Sequence, residues 1–265
     1  MSYKLVVVDL DGTLLNNKHT ISKRNYKVIS ELRKKGVSFV LASGRPYQSL
    51  EKYAKKLNLK MPIISTNGAL IKDVNDPDIL FKSVFSYNNA EKIFNYGMKN
   101  NFSILVYYTD EFLSSDKDTA IHHKKVEALN FKYSKNLREN KAPLKIVFKA
   151  ETGEEINKLG EVNNIFASDF YITQPDKQYI AFMNKGISKG RGIDYIKKYY
   201  DIKREEIIAI GNNFNDISMF DNSGLSIAMG NSPKKVKNEA DFIKKSNEED
   251  GVAVILKEIF AEISI

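Results

Sequence analysis

The sequence predicts an α/β protein: an open parallel sheet flanked by helices, with a second, α+β domain inserted into it. Three observations carry that class. Leu5, Val6, Val7 and Val8 form an unbroken apolar, β-branched run. This is the pattern of a strand buried on both faces at the centre of a parallel sheet. Further short apolar runs fall at 37–41, 63–65, 207–210 and 224–229, with helical stretches between core strands. From 82 to 185 the strand–helix alternation gives way to a mixed order typical of an α+β unit.

In chain order, Ser22 opens a helix in which Val28, Ile29 and Leu32 recur at helical spacing, with Gly36 as its C-terminal stop. A second buried strand at 37–41 leads to a helix over 48–57, and a third strand at 63–65 ends in Asn67-Gly68, a hairpin signal. Extended segments are expected at 79–84, 103–108, 142–149, 169–173 and 178–183, with helices at 87–99 and 152–162. Ser188 caps a helix over 189–200. Strands at 207–210 and 224–229 return the chain to the parallel sheet. Ser232-Pro233 starts a helix, Phe242-Ile243 reads as an edge strand, and a last helix is expected over 251–263. These readings divide the chain into a first core part, 1–81, an inserted domain, 82–185, and a second core part, 186–265.

Composition excludes several functions. The chain has 265 residues, of which 42% are hydrophobic and 28% charged, an ordinary globular balance. There is no cysteine, so disulfides, zinc–thiolate sites and cysteine nucleophiles are excluded. His19, His122 and His123 are too scattered for a histidine metal site, and the adjacent pair reads as a solvated helix face. No apolar run approaches the roughly 18 residues a membrane helix needs. The first residues enter a strand at once, without a signal-peptide pattern, so no membrane and a cytoplasmic location are expected. The formal charge of +8 comes from 41 basic and 33 acidic residues. The lysines lie in pairs along helical stretches with no recognition helix or stacking platform beside them. Solvated helix faces are therefore expected, and no nucleic acid, although a positive field favours a small anionic substrate.

The chemistry concentrates at strand ends. Asp9, Asp11, Gly12 and Thr13 follow the first strand. Carboxylates at the mouth of a buried strand are costly unless their charge is used, and open α/β sheets bind ligands at the carboxyl ends of their strands. Asp and Gly also make ordinary turns. Ser43, Gly44 and Arg45 end the second strand: hydroxyl, backbone N–H and guanidinium suit an oxyanion, and equally an αβ turn. Asn67-Gly68 is a hairpin turn or a substrate contact. Lys189, in the first turn of its helix, opposes the helix dipole and so points to another use. Lys185 is its in-register rival. Gly211-Asn212-Asn213-Phe214-Asn215-Asp216 follows a later strand.

Asp9-Leu10-Asp11-Gly12-Thr13 resembles the first motif of the haloacid dehalogenase-like phosphohydrolases. Ser43, Lys189 and the run from Gly211 to Asp216 are similar to its second, third and fourth motifs, in the right order. Together they point to the sugar-phosphatase-like group of Cof type. The resemblance implies a Rossmann-like core with an inserted cap that closes over the cleft and sets specificity, the loop 174–177 being a candidate. It implies that Asp9 is the nucleophile, that Asp11 is the general acid and base, and that Lys189 offsets charge. Ser43, Gly44, Arg45, Asn67, Asn215 and the backbone at Leu10 would hold the phosphoryl group and substrate. Mg²⁺ would be held by Asp9, the Asp11 carbonyl and position 212, with Asp216 placed among them to position Lys189 or a water on the metal. The expected substrate is a small phosphorylated metabolite such as a sugar phosphate. Asn212 departs from the pattern, since relatives carry aspartate there; an amide oxygen ligates without formal charge, so weaker metal binding is expected. Phosphoryl transfer to a second hydroxyl, as in mutases, and a weakened binding protein are the alternatives.

Overall fold

The computed structural model describes residues 3–76, 78–127, 129–138 and 141–262. The chain divides into two compact units, 1–80 with 188–265, and 81–187.

The first unit begins with β1 (Leu5–Val8), α1 (Lys23–Lys34), β2 (Ser38–Leu41), α2 (Tyr47–Lys56), β3 (Ile63–Ser65) and β4 (Leu70–Lys72), and β5 (Ile79–Lys82) leads out of it. The second unit holds α3 (Tyr87–Lys99), β6 (Ser103–Tyr107), β7 (Phe112–Ser114), α4 (Lys117–Glu127), β8 (Phe131–Tyr133), β9 (Lys145–Lys149), α5 (Gly153–Phe166), β10 (Phe170–Asp176) and β11 (Tyr179–Asn184). The chain returns through α6 (Lys189–Tyr200), β12 (Ile207–Gly211), α7 (Ile217–Asp221), β13 (Leu225–Ala228), α8 (Lys234–Asn238), β14 (Phe242–Ile243) and α9 (Gly251–Glu262). The expected end of α9 at Ile263 lies outside the described residues.

The parallel sheet has the order β14-β13-β12-β1-β2. β1 lies between β12 and β2, and each of its four residues is at most 1% exposed, which is why it reads as an unbroken apolar run. Register places the site. Val8 pairs with both Leu41 and Ile210, so β1, β2 and β12 end level and their following turns open side by side. Ala42 bridges Ile64 in parallel, which brings the end of β3 to the same edge. β14 is the exposed edge strand the sequence predicts.

In the second unit the sheet order is β10-β11-β9-β6-β7-β8, antiparallel except for the β7–β8 pair, which is parallel. Ile104, Val106, Ile146, Phe148, Ile180 and Phe182 pack against Ile93 and Phe94 of α3 and Leu159, Val162 and Phe166 of α5 in one buried cluster. Between 109 and 141 the sequence reading gives a helix face around His122 and His123 but no strand, yet β7 and β8 lie there on either side of α4. The two strands have three residues each, and α4 is polar almost throughout, so neither period is visible.

The solvated face expected for His122 and His123 is corrected for one of them. His122 is exposed, but His123 is largely buried: its ring packs on Phe131 and Tyr179. Its Nδ1 lies 2.7 Å from Glu127 Oε1, which also accepts from the Tyr107 hydroxyl at 2.9 Å. Neighbours on a helix point to different faces, and α4 turns one of this pair inward. Lys145 Nζ sits 3.8 Å above the Tyr107 ring. Burial pulls the Lys145 pKa down to about 8, against the favourable charge of Glu127. An unfolded lysine keeps its proton to a higher pH, so the penalty for burying this charge is full below pH 8 and fades as pH rises toward 10.5. Lys145→Met is therefore expected to gain on the wild type at pH 7.5 and to lose about 2 kcal/mol of that advantage by pH 10. Urea unfolding at the two pH values measures the gap; a constant gap means Lys145 stays charged throughout.

Candidate active site

Asp9 leaves β1 with its N–H on the Ile210 carbonyl, 2.9 Å away, and its side chain is almost fully buried. The turn that follows is tight: Leu15 N donates to Leu10 O at 2.9 Å. Gly12 has φ +73°, and a Cβ there would sit 2.5 Å from Asn212 Nδ2; only glycine meets both demands. Leu10 turns into the core at 0% exposure, and Thr13 is equally buried.

Ser188 caps α6 as expected, its side chain accepting from Arg191 N. The cap fixes Lys189 in the first turn, where the helix dipole disfavours it. Its Nζ donates to Asp9 Oδ1 and to Asp216 Oδ1, each at 2.6 Å. Asp216 Oδ2 in turn accepts from the backbone N–H of Asn212, at 2.8 Å, and of Asn213, at 2.9 Å. Close packing holds this arrangement: a Cβ on Gly190 would lie 2.0 Å from the Ser218 carbonyl, so α6 approaches α7 only through glycine. Lys185 is elsewhere, donating to the Ser168 carbonyl at 2.8 Å.

Burial pulls Lys189 down, but Asp216 and Asp9 outweigh it, and the lysine is held protonated above its ordinary value. Burial and then the charge of Asp216 push the Asp9 carboxyl up, against the pull of Lys189. One cation thus serves two buried carboxylates, and the trio is left with excess negative charge.

Asp11 differs. Its side chain is 41% exposed and lies in the fork of Arg45, whose Nε reaches Asp11 Oδ2 at 2.6 Å while Nη2 reaches Oδ1. The sequence offers this fork to an oxyanion; in the structure the Asp11 carboxylate takes it through both of its oxygens. His19 Nδ1 stands 3.6 Å from Asp11 Oδ1.

The β2 and β3 turns are knitted together. Ser43 is buried and its carbonyl accepts from Asn67 N at 2.9 Å, and Thr66 N donates to Arg45 O at 2.9 Å. Asn67 makes the β3–β4 hairpin turn and also accepts from Asn215 Nδ2 at 2.9 Å. Thr66 and Asn67 both have positive φ, 52° and 54°. A β-branched residue there is strained, and strain held by neighbours marks functional sites. A Cβ on Gly44 would meet Asn67 Oδ1 at 3.1 Å, so all four predicted residues 43, 44, 67 and 215 share one wall.

Asn212 faces the mouth of β1. One atom of its amide lies 3.1 Å from Asp9 Oδ2, 2.8 Å from the Asp11 carbonyl and 2.9 Å from Thr13 Oγ1. Around Mg²⁺, with Mg–O near 2.1 Å, adjacent oxygen ligands stand about 3 Å apart. With the amide oxygen at that point, carboxylate, carbonyl and amide oxygens are of the kind a hard divalent cation takes; with the nitrogen there, the same distances are hydrogen bonds. Among the described residues no group of three or more His, Cys, Asp and Glu side chains gathers for a metal; this set is one carboxylate, one carbonyl and one amide. Both oxygens of Asp216 already accept, Oδ1 from Lys189 Nζ and Oδ2 from the N–H groups of Asn212 and Asn213.

The sequence reading assigns no site role to Thr13, His19 or Asn231; Asn231 Nδ2 donates to the Gly12 carbonyl at 2.8 Å. Thr13 had a signal, its place in the pentad. His19 and Asn231 had none, since only folding brings them to the β1 turn.

These features define a class: an α/β protein with a candidate site at the carboxyl ends of a parallel sheet and an additional domain within the chain. A family model described as haloacid dehalogenase-like hydrolase matches residues 6–256, and the chain belongs to that family, in its Cof-type group. Among its relatives, 5-amino-6-(5-phospho-D-ribitylamino)uracil phosphatase YitU of Bacillus subtilis is 30% identical over 97% of both chains. Phosphatase YwpJ of the same organism is 27% identical over 97% of this chain and 99% of its own. A solved haloacid dehalogenase-like hydrolase from Bacteroides thetaiotaomicron superposes with a TM-score of 0.87 at 28% identity, over 97% of this chain and 100% of its own. The protein is a phosphatase. Among the described residues no helix is long and apolar enough to cross a membrane.

Proposed function

We propose that the enzyme is a Mg²⁺-dependent phosphatase that hydrolyses small phosphomonoesters, sugar phosphates or similar metabolites, through an aspartyl-phosphate. The observation that carries this reading is the pairing of roles at β1: Asp9 is buried on Lys189, and Asp11, two residues on, is exposed. The Asp9 carboxylate attacks phosphorus; its O–P bond forms as the bond to the leaving oxygen breaks. Asp11 gives that oxygen its proton, then takes one from the water that hydrolyses the intermediate. Lys189 balances the charge gathered at Asp9, and Asp216 holds Lys189 in place. Ser43, Asn67 and Asn215 line the wall that would receive the phosphoryl oxygens, with Gly44 and the Leu10 backbone beside them. Arg45 holds the Asp11 carboxylate at the strand mouth, and Asp11 would leave this fork to carry a proton. Asp9 Oδ2, the Asp11 carbonyl and the Asn212 amide oxygen would hold Mg²⁺. Bound there, the ion neutralises phosphoryl charge as a Lewis acid.

The relative that acts on a phosphoribityl compound supports a polyhydroxylated phosphomonoester as substrate. Phosphate release from a panel of such esters, with and without Mg²⁺, tests the proposal. Release that needs Mg²⁺ is expected. Equal release in chelator would remove the metal from the mechanism, and no release from any ester would overturn the substrate class.

A further inference from the structure

Position 212 is where this chain departs from the motif, and the departure changes more than a ligand's charge. An amide has two ends. With its oxygen toward β1, Asn212 accepts from Thr13 Oγ1 at 2.9 Å, but that oxygen then faces two others, Asp9 Oδ2 and the Asp11 carbonyl, at 3.1 and 2.8 Å. Oxygens that close repel unless a cation lies between them. Turned over, the same amide places N–H donors at hydrogen-bond distance from all three acceptors. Both orientations use the same backbone, which is held by the bond from Asn212 N to Asp216.

We propose that the Asn212 amide is an internal substitute for the cation. Without metal, Nδ2 donates to Asp9 Oδ2 and the Asp11 carbonyl. When Mg²⁺ binds, the amide turns and presents Oδ1 to it. The inference rests on the magnesium reading above. Its physical basis is that an amide offers donors in one state and an acceptor in the other, whereas a carboxylate offers acceptors only. Aspartate at 212 crowds a second carboxylate against Asp9 in the metal-free protein and relies on the cation to relieve it. Asparagine stabilises the empty site, and every gain there is subtracted from the apparent metal affinity.

The test compares the wild-type chain with Asn212→Asp by thermal unfolding and by Mg²⁺ titration calorimetry, neither of which needs a substrate. In chelator, the variant is expected to melt several degrees below the wild type. On Mg²⁺ addition its Tm is expected to rise further than that of the wild type, and its Mg²⁺ affinity to be at least tenfold higher. The Asn212 side-chain amide, assigned by its loss in the variant, gives a second readout. Its N–H protons are expected to exchange slowly with water in chelator, and the signal to move on Mg²⁺ addition. A variant as stable as the wild type in chelator, with the same response to Mg²⁺, overturns the proposal and leaves the phosphatase reading standing. No Mg²⁺ response in either protein overturns it together with the magnesium reading.

Discussion

Asp9→Asn is expected to reduce phosphate release by more than about 10³-fold and to leave the fold intact. The loss follows from the proposed chemistry: an amide nitrogen or oxygen does not replace a carboxylate nucleophile. The intact fold follows from energetics. Burial and Asp216 already push the Asp9 carboxyl toward its neutral form, so a neutral isostere relieves a desolvation penalty. Lys189 keeps its second partner, Asp216, at 2.6 Å. Its Tm is therefore expected to stay within a few degrees of the wild type. Covalent labelling by a phosphoryl donor makes the test specific: the wild type is expected to form an acid-stable phosphoenzyme and Asp9→Asn none. Labelling that persists in the variant places the nucleophile elsewhere.

The same physics explains what the sequence revealed. β1 was legible because a strand buried on both faces has no polar position to confuse the pattern. Lys189 was legible because a cation in the first turn of a helix works against the dipole. The partners that fix these groups were harder. Arg45 announces a fork but not its occupant, and the choice of Asp11 over an oxyanion depends on how two turns open beside each other. His123 shows why adjacency misleads: its chemistry is set by Phe131, Tyr179 and Glu127, which come from two strands and the next turn of its helix. Asn212 was visible as a departure, but the role proposed for it required two oxygens, from Asp9 and the Asp11 backbone, brought beside it by the fold. Local pattern specifies elements and their polarity, whereas the facing partner of a polar group is a property of register.

Lys189→Met carries the largest stability effect. The substitution is close in volume, so packing changes little, but it removes the cation that two buried carboxylates share. Lys189 is 1% exposed, Asp9 5% and Asp216 0%, so water does not take its place. Breaking a buried pair by removing one partner costs about 3–5 kcal/mol, and urea unfolding is expected to show a loss of that size at pH 7.5. The pH dependence identifies the cause. The Asp9 carboxyl stands above its ordinary value even with Lys189 opposing, and without the lysine it rises further. A folded carboxyl with a raised pKa binds its proton before the unfolded one does, so the variant gains stability as pH falls from 7.5 toward 5.5. Adding Asp9→Asn to Lys189→Met removes the same repulsion without acid. The double variant is expected to recover about 1–2 kcal/mol over Lys189→Met and to lose that extra gain on acidification. A Lys189→Met protein within about 1 kcal/mol of the wild type at pH 7.5 would mean that the carboxylates had already found another cation or a proton. The ion triad would then be an accessory of the site rather than the brace that holds it.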